Sequence, residues 1–136
     1  MSSKRNTRIL VVDDEPDVLV VLKKRLETEG FSVLEASTGK LALSLAKSEK
    51  PDLIILDVCL PDIGGGEVAC GLQEDPVTAS IPIIFLTALF SKQEEAKHGR
   101  LVGGNKTMAK PYETRKLIAE IERSLQEAGT LYQRSS

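Results

Sequence analysis

Residues 8–14 read Arg-Ile-Leu-Val-Val-Asp-Asp, and this stretch decides the fold. A short apolar, largely β-branched run that stops at acidic side chains is typical of a parallel strand covered on both faces. Pro16 follows at a position suited to a first helical turn, apolar residues then recur at helical spacing as far as Leu26, and Gly30 offers a left-handed stop. The segment therefore predicts a strand followed directly by a helix.

The rest of the chain repeats this alternation of strand and helix. Further strands are predicted at 31–36, 52–57, 82–87 and 106–109, and helices at 40–48, 67–73 and 91–100. A last helix carries its apolar residues on one face: Leu117, Ile118, Ile121 and Leu125. Strands that alternate with helices through short links predict an α/β fold, an open parallel sheet of five strands with helices on both faces.

Length and composition predict a single soluble domain over 1–136. The chain has 136 residues, of which 41% are hydrophobic and 28% are charged, a size and balance typical of one globular unit. We expect a core over about 8–126 and a frayed tail at 129–136. A net charge of −2 and a pI near 5.5 argue against direct binding of nucleic acid, because they leave no basic surface for phosphates.

The sequence shows no feature of a secreted or membrane-inserted protein. No apolar run approaches the ~20 residues that span a bilayer, and the opening MSSKRNTR lacks a signal-peptide pattern, so a cytoplasmic location is predicted. Cys59 and Cys70 lack the paired spacing of a zinc site, and His98 alone cannot complete one. Both cysteines are predicted to be reduced and packed in the interior.

Reactive side chains fall where the predicted strands end. Asp13 and Asp14 end the first strand, Asp57 the third, Thr87 the fourth and Lys110 the fifth. These ends meet at one edge of a parallel sheet, and if the strand order is 2-1-3-4-5, the first and third strands flank the ligand-binding switch point. Three carboxylates there would repel one another unless a cation joined them. Oxygen ligands without clustered Cys or His indicate Mg²⁺.

Several of these residues also have a purely structural interpretation. Asp14 could cap the first helix, Thr87 could satisfy a backbone group, and Lys110 could be a solvated surface charge. Their joint placement at strand ends is hard to produce by structural accident. The pattern as a whole therefore favours a functional site.

Four motifs carry a family resemblance: VVDDEP at 11–16, LDVCLP at 56–61, FLTA at 85–88 and KPY at 110–112. With these motifs in this order and spacing, the chain resembles the receiver domains of two-component response regulators over nearly its whole length. The resemblance implies a doubly wound, flavodoxin-like sheet in the order 2-1-3-4-5. It also implies a cis bond between Lys110 and Pro111.

The resemblance further implies a chemistry for the predicted edge. Asp57 would be the nucleophile that accepts a phosphoryl group from a partner histidine kinase or phosphotransfer protein. Mg²⁺ would be held by Asp13, Asp14, Asp57 and the backbone carbonyl of Cys59. Lys110 would pair with a phosphoryl oxygen. The Thr87 hydroxyl would bond to another phosphoryl oxygen after transfer, which makes it the candidate conformational switch.

On this interpretation the chain is a phosphoacceptor signalling domain, which catalyses only its own phosphorylation and slow dephosphorylation. The sequence does not identify the downstream partner. It also leaves open whether phosphorylation drives formation of a homodimer through the last two helices. The rival interpretation is a receiver-like interaction module that works without phosphate. Two differences from the usual receiver pattern suggest this rival interpretation. Thr107 stands where many receivers have an aromatic residue, and glycines at 64–66 suggest a looser loop beside the site.

Two enzyme classes fit the sequence less well. A flavodoxin-like or nucleotide-binding protein needs an anion-binding loop after the first strand, where Asp13, Asp14 and Glu15 would repel a phosphate. A phosphatase with an aspartyl nucleophile would want a second acid two residues later, and Cys59 stands at that position.

Overall fold

The computed structural model describes residues 7–88 and 106–129. Its strands are β1 (Arg8–Val12), β2 (Ser32–Ala36), β3 (Leu53–Leu56), β4 (Ile83–Thr87) and β5 (Lys106–Ala109). Its helices are α1 (Pro16–Thr28), α2 (Gly39–Glu49), α3 (Gly65–Glu74) and α4 (Thr114–Glu127). The helix predicted at 91–100 and positions 130–136 of the predicted tail lie outside the described residues.

The five strands form one parallel sheet in the order β2-β1-β3-β4-β5, which confirms the predicted topology. At the centre, β1 and β3 pair so that Val12 lies opposite Leu56. Asp13 and Asp57 are the next residues of the two strands. They therefore leave the sheet side by side, at the switch point between the two directions of winding.

Helices cover both faces of the sheet, so the inner strands β1, β3 and β4 are buried on both sides. On one face, apolar side chains of the strands pack against α1 and α4, mainly against Leu19, Leu22, Leu26, Leu117, Ile121 and Leu125. On the other face they pack against α2 and α3, mainly against Ala42, Ala46, Val68, Ala69 and Leu72. This two-sided burial explains why β1, β3 and β4 are continuous apolar runs rather than alternating ones.

The helix boundaries follow local chemistry. Pro16 occupies the first turn of α1, and Gly30 takes a left-handed backbone conformation with φ of +100° just after that helix, as predicted. Helix α3 begins at Gly65, two residues earlier than predicted, and the Gly65 amide, which has no partner within the helix, donates to the Val58 carbonyl at 2.7 Å. No helix within 7–88 or 106–129 is long and apolar enough to cross a membrane.

The prediction that both cysteines pack in the interior is wrong. Cys59 and Cys70 are exposed, and neither takes part in a disulfide. Helix α3 turns Val68, Ala69 and Leu72 towards the sheet, which places Cys70 on the opposite, solvent-facing side. Cys59 lies in the loop after β3, beyond the covered part of the strand.

Candidate functional site

The carboxyl edge of the sheet brings three carboxylates together. One oxygen from each of Asp13, Asp14 and Asp57 lies within 4.8 Å of the others. Asp13 and Asp57 are nearly buried, with 2% and 8% of their surface exposed, whereas Asp14 stands exposed at the rim. The cluster predicted from the strand ends is therefore present and open to solvent on one side.

The fourth charged member of the cluster is Lys110, which enters from the end of β5. Its ammonium Nζ lies 2.5 Å from Asp13 Oδ2 and 3.4 Å from Asp57 Oδ2, and its side chain is only 16% exposed. The Lys110 amide donates to the Thr87 carbonyl at 2.9 Å, which fixes the end of β5 against the end of β4. The bond from Lys110 to Pro111 is cis, as the family resemblance implied.

The neighbouring carboxylates stabilise the charged form of Lys110. Burial lowers the pKa of the ammonium, but the hydrogen bond to Asp13 and the negative charges of Asp57 and Asp13 together outweigh it, so the pKa lies above its usual 10.5. Lys110 is thus cationic at neutral pH. It is also largely buried, so it is not the solvated surface charge that the sequence alone allowed.

The remaining oxygen atoms of the two buried carboxylates accept backbone hydrogen bonds. Asp13 Oδ1 accepts from the Glu15 amide at 3.0 Å, and Asp57 Oδ1 accepts from the Cys59 amide at 3.2 Å. The N-cap of α1 is Glu15, so Asp14 does not have the capping role that its position allowed. Asp14 is left as an exposed ligand-type carboxylate beside two oriented ones.

Thr87 ends β4 at the same edge of the sheet. It is 1% exposed and pairs with Ala109 of β5, directly before Lys110. The predicted switch threonine thus shares with Lys110 the backbone bond that joins the two strand ends. The edge therefore gathers the five side chains that were predicted at the strand ends.

The donor set of this edge suits a hard divalent cation. Three carboxylates face one ammonium, which leaves two negative charges uncompensated. Every candidate side-chain ligand is an oxygen, the donor that Mg²⁺ prefers, and no cluster of His or Cys competes within the described residues. The residues present therefore fit Mg²⁺.

Comparison with known proteins gives the family. The sequence model of the response regulator receiver domain family matches residues 9–122. The chain belongs to this family. Among its relatives, the alkaline phosphatase synthesis transcriptional regulatory protein PhoP of Bacillus subtilis is 41% identical over 119 residues, which are 86% of this receiver chain and 48% of that protein. The chain spans about half the length of such transcriptional regulators, but it matches 93% of protein PilH of Pseudomonas aeruginosa at 32% identity.

Solved receiver structures are similar to this chain over most of its length. The CheY-like receiver domain of Methanospirillum hungatei is 30% identical with a TM-score of 0.76, covering 90% of this chain and 96% of its own. The receiver domain of a sensor histidine kinase from Pseudomonas aeruginosa has a TM-score of 0.78 at 27% identity, covering 88% and 98% of the two chains. That structure holds a magnesium ion in its active site cleft.

Thr107 is a buried polar residue of β5. It lies on β5 opposite Phe85 and is completely buried. Its hydroxyl Oγ1 has no hydrogen-bond partner among the described residues. A buried hydroxyl without a partner loses its hydration and gains no hydrogen bond in return, so within the described residues the Thr107 hydroxyl costs stability.

Replacing Thr107 by valine is expected to stabilise the domain by about 1 kcal/mol, because valine keeps the shape and removes the unpaired hydroxyl. Equilibrium unfolding in urea, followed by far-UV circular dichroism, measures the change. Thr78 is the matched control, because it is equally buried but its hydroxyl donates to the Leu72 carbonyl at 2.7 Å. We expect Thr78→Val to destabilise; a loss of stability in Thr107→Val as well would contradict the assignment.

Proposed function

We propose that this receiver domain accepts a phosphoryl group on Asp57, in the presence of Mg²⁺, from a histidine kinase or a phosphotransfer protein. The observation that carries the proposal is the position of the Asp57 carboxylate. It is nearly buried, held by the Cys59 amide on one oxygen and by the Lys110 ammonium on the other, and opens on the acidic edge.

The proposed transfer to Asp57 exchanges one bond to phosphorus for another, so atoms and charge balance. A carboxylate oxygen of Asp57 attacks the phosphorus of a phosphohistidine, a P–O bond forms, and the P–N bond to the imidazole breaks. The imidazole takes up a proton as it leaves. The product is an acyl phosphate on Asp57, and the chain acts as the acceptor rather than as a catalyst of turnover on a separate substrate.

The chain's own charges prepare this step. The Lys110 ammonium already lies against Asp57 and Asp13, so it can pair with a phosphoryl oxygen on Asp57 without a long displacement. The Thr87 hydroxyl, at the neighbouring strand end, is the proposed group that bonds to a second phosphoryl oxygen and reports the modification to the rest of the domain.

The metal would be held by Asp13, Asp14 and Asp57 together with the backbone carbonyl of Cys59. When bound, Mg²⁺ supplies positive charge that offsets the negative charge of the incoming phosphoryl group. The carboxylate cluster, its uncompensated charge and the magnesium ion in the cleft of a 27% identical receiver support this assignment.

The test is the intact mass of the protein after incubation with a small-molecule phosphodonor, with Mg²⁺ or with a chelator. We expect one phosphoryl group on the wild-type chain only with Mg²⁺, and none on Asp57→Asn. Asp52→Asn is the matched control, because Asp52 precedes the other end of β3, where its carboxylate accepts a hydrogen bond from the Arg8 amide at 2.8 Å. This variant should be phosphorylated like the wild type.

Two results would overturn the proposal. An adduct that persists in Asp57→Asn would move the acceptor to another residue. A wild-type chain that binds Mg²⁺ but forms no adduct would favour the alternative, an interaction module that keeps the receiver fold and signals without phosphate, as the threonine at position 107 first suggested.

A further inference from the structure

The loop that follows the proposed acceptor is tied to a different helix by one side chain. Asp62 lies in this loop, and its Oδ1 accepts a hydrogen bond from the Gly39 amide at 2.8 Å, while its Oδ2 accepts one from the Lys40 amide at 2.9 Å. Gly39 and Lys40 are the first two residues of α2. Both oxygens of the carboxylate are therefore engaged with the start of that helix, 22 and 23 residues away in sequence.

The contact favours the ionised form of Asp62. Backbone hydrogen bonds, chiefly the one from the Lys40 amide and also the one from Gly39, lower the pKa of this exposed carboxyl group to about 2 against an opposing loss of hydration. A carboxylate also interacts favourably with the positive end of a helix dipole. Asp62 is thus ionised at any pH at which the domain functions.

Close packing beside Asp62 holds the loop in the same place. A side chain on Gly39 would put its Cβ 2.5 Å from Ile63 Cγ1 and 2.8 Å from Val68 Cγ2, so Ile63 lies directly on the start of α2. The far end of the loop is held as well, because the Gly65 amide donates to the Val58 carbonyl. The segment from Val58 to Gly65 is therefore anchored at its two ends and in its middle, and is less loose than its glycines suggested.

We propose that Asp62 is a positioning residue of the phosphoacceptor loop: its clamp on the first turn of α2 presets the backbone that follows Asp57 for binding Mg²⁺ and the phosphoryl group. This inference rests on the function proposed for Asp57. Cys59, whose amide already contacts Asp57 and whose carbonyl is the proposed fourth ligand, lies in the segment that the clamp holds.

The contact between Asp62 and α2 matters because it reduces the conformational entropy that the loop loses when a ligand binds. A loop that ends in consecutive glycines has many conformations open to it, and binding a ligand through its backbone requires that one be selected. With Asp62 engaged, this ordering is already present before the ligand arrives. Without it, ligand binding must supply the ordering, and both affinity and rate of phosphoryl uptake should fall.

The experiment compares Asp62→Asn with Thr38→Ala. Thr38 caps the same helix, since its Oγ1 accepts from the Leu41 amide at 3.1 Å, but it does not hold the acceptor loop. Mg²⁺ affinity is measured by calorimetric titration and phosphoryl uptake by mass, at a temperature where both variants are folded. We expect Asp62→Asn to weaken Mg²⁺ binding about fivefold and to slow uptake similarly, as for ordering one or two loop residues, while Thr38→Ala retains wild-type values.

A second variant tests the loop contact without changing a charge. Gly39→Ala should push Ile63 away from α2 and weaken Mg²⁺ binding in the same direction as Asp62→Asn. If wild type binds Mg²⁺ and is phosphorylated while Asp62→Asn matches Thr38→Ala, Asp62 is only a helix cap and the inference fails alone. If the wild-type chain binds no Mg²⁺ and takes up no phosphate, the proposed function fails and the inference fails with it.

Discussion

Replacing Gly65 by alanine is expected to lower the free energy of unfolding by about 3 kcal/mol. The added Cβ would lie 2.4 Å from the Asp57 carbonyl oxygen and 2.7 Å from Val58 Cα. Both contacts are with backbone, so no side-chain rotation relieves them, and either α3 or the end of β3 must move. Alanine would otherwise favour the helix by up to about 1 kcal/mol, so a net loss measures the clash.

Urea unfolding of Gly65→Ala gives the magnitude, and Gly64→Ala is the matched control. A Cβ on Gly64 would meet only the Val58 carbonyl oxygen, at an ordinary 3.9 Å, and the backbone φ of −68° suits any residue. Gly64 is the N-cap of α3, where alanine is a poorer cap but leaves the unfolded chain less entropy, so these effects oppose each other and we expect the control to change stability by no more than about 0.5 kcal/mol. Equal effects of the two substitutions would show that the close approach of α3 to the acceptor strand is not what requires glycine at 65.

The second large effect is expected from Lys110→Met, which should tighten Mg²⁺ binding about tenfold while lowering stability without metal by about 2 kcal/mol. The ammonium lies against Asp13 and Asp57, two of the carboxylates proposed as metal ligands. Removing it leaves two nearly buried carboxylates without a counter-charge, which destabilises the metal-free fold. It also removes a cation that repels the incoming metal.

Calorimetric titration with Mg²⁺ and urea unfolding in a chelator measure the two effects of Lys110→Met. Lys106→Met is the control, because Lys106 begins the same strand and its ammonium lies 4.0 Å from Glu120 rather than near the acidic edge. Its Mg²⁺ affinity should equal that of the wild type. Unchanged affinity in Lys110→Met would mean that the lysine and the metal do not share these carboxylates.

The side chains whose positions could be predicted from the sequence are those that end a strand. Asp13 and Asp57 could be placed because each follows an unbroken apolar run, and parallel strands of known order bring such ends together. Lys110 could be placed for the same reason once β5 was recognised. These inferences need only local pattern and topology, and both are visible in one sequence.

Two features were not predicted from the sequence. The position of Asp62 depends on a contact between distant segments, and the exposure of Cys70 depends on which face of α3 it occupies. Asp62 is one acid in a polar loop, and nothing in its neighbourhood indicates that it would meet the amides of Gly39 and Lys40. Cys70 was misplaced because a general preference for burial was applied to it. The spacing of Val68, Ala69 and Leu72 already defines the inner face of α3 and leaves Cys70 outside.

The contact between Lys110 and Asp13 joins residues 97 apart, nearly the two ends of the folded region. An unfolded chain does not hold these charges together, so we expect a ligand of the acidic edge to bind the folded domain in preference to the unfolded one. Its binding energy therefore adds to the energy of folding, by about 1.4 kcal/mol at a free concentration ten times its dissociation constant. Occupancy of the edge can thus be read from the melting temperature of the whole domain.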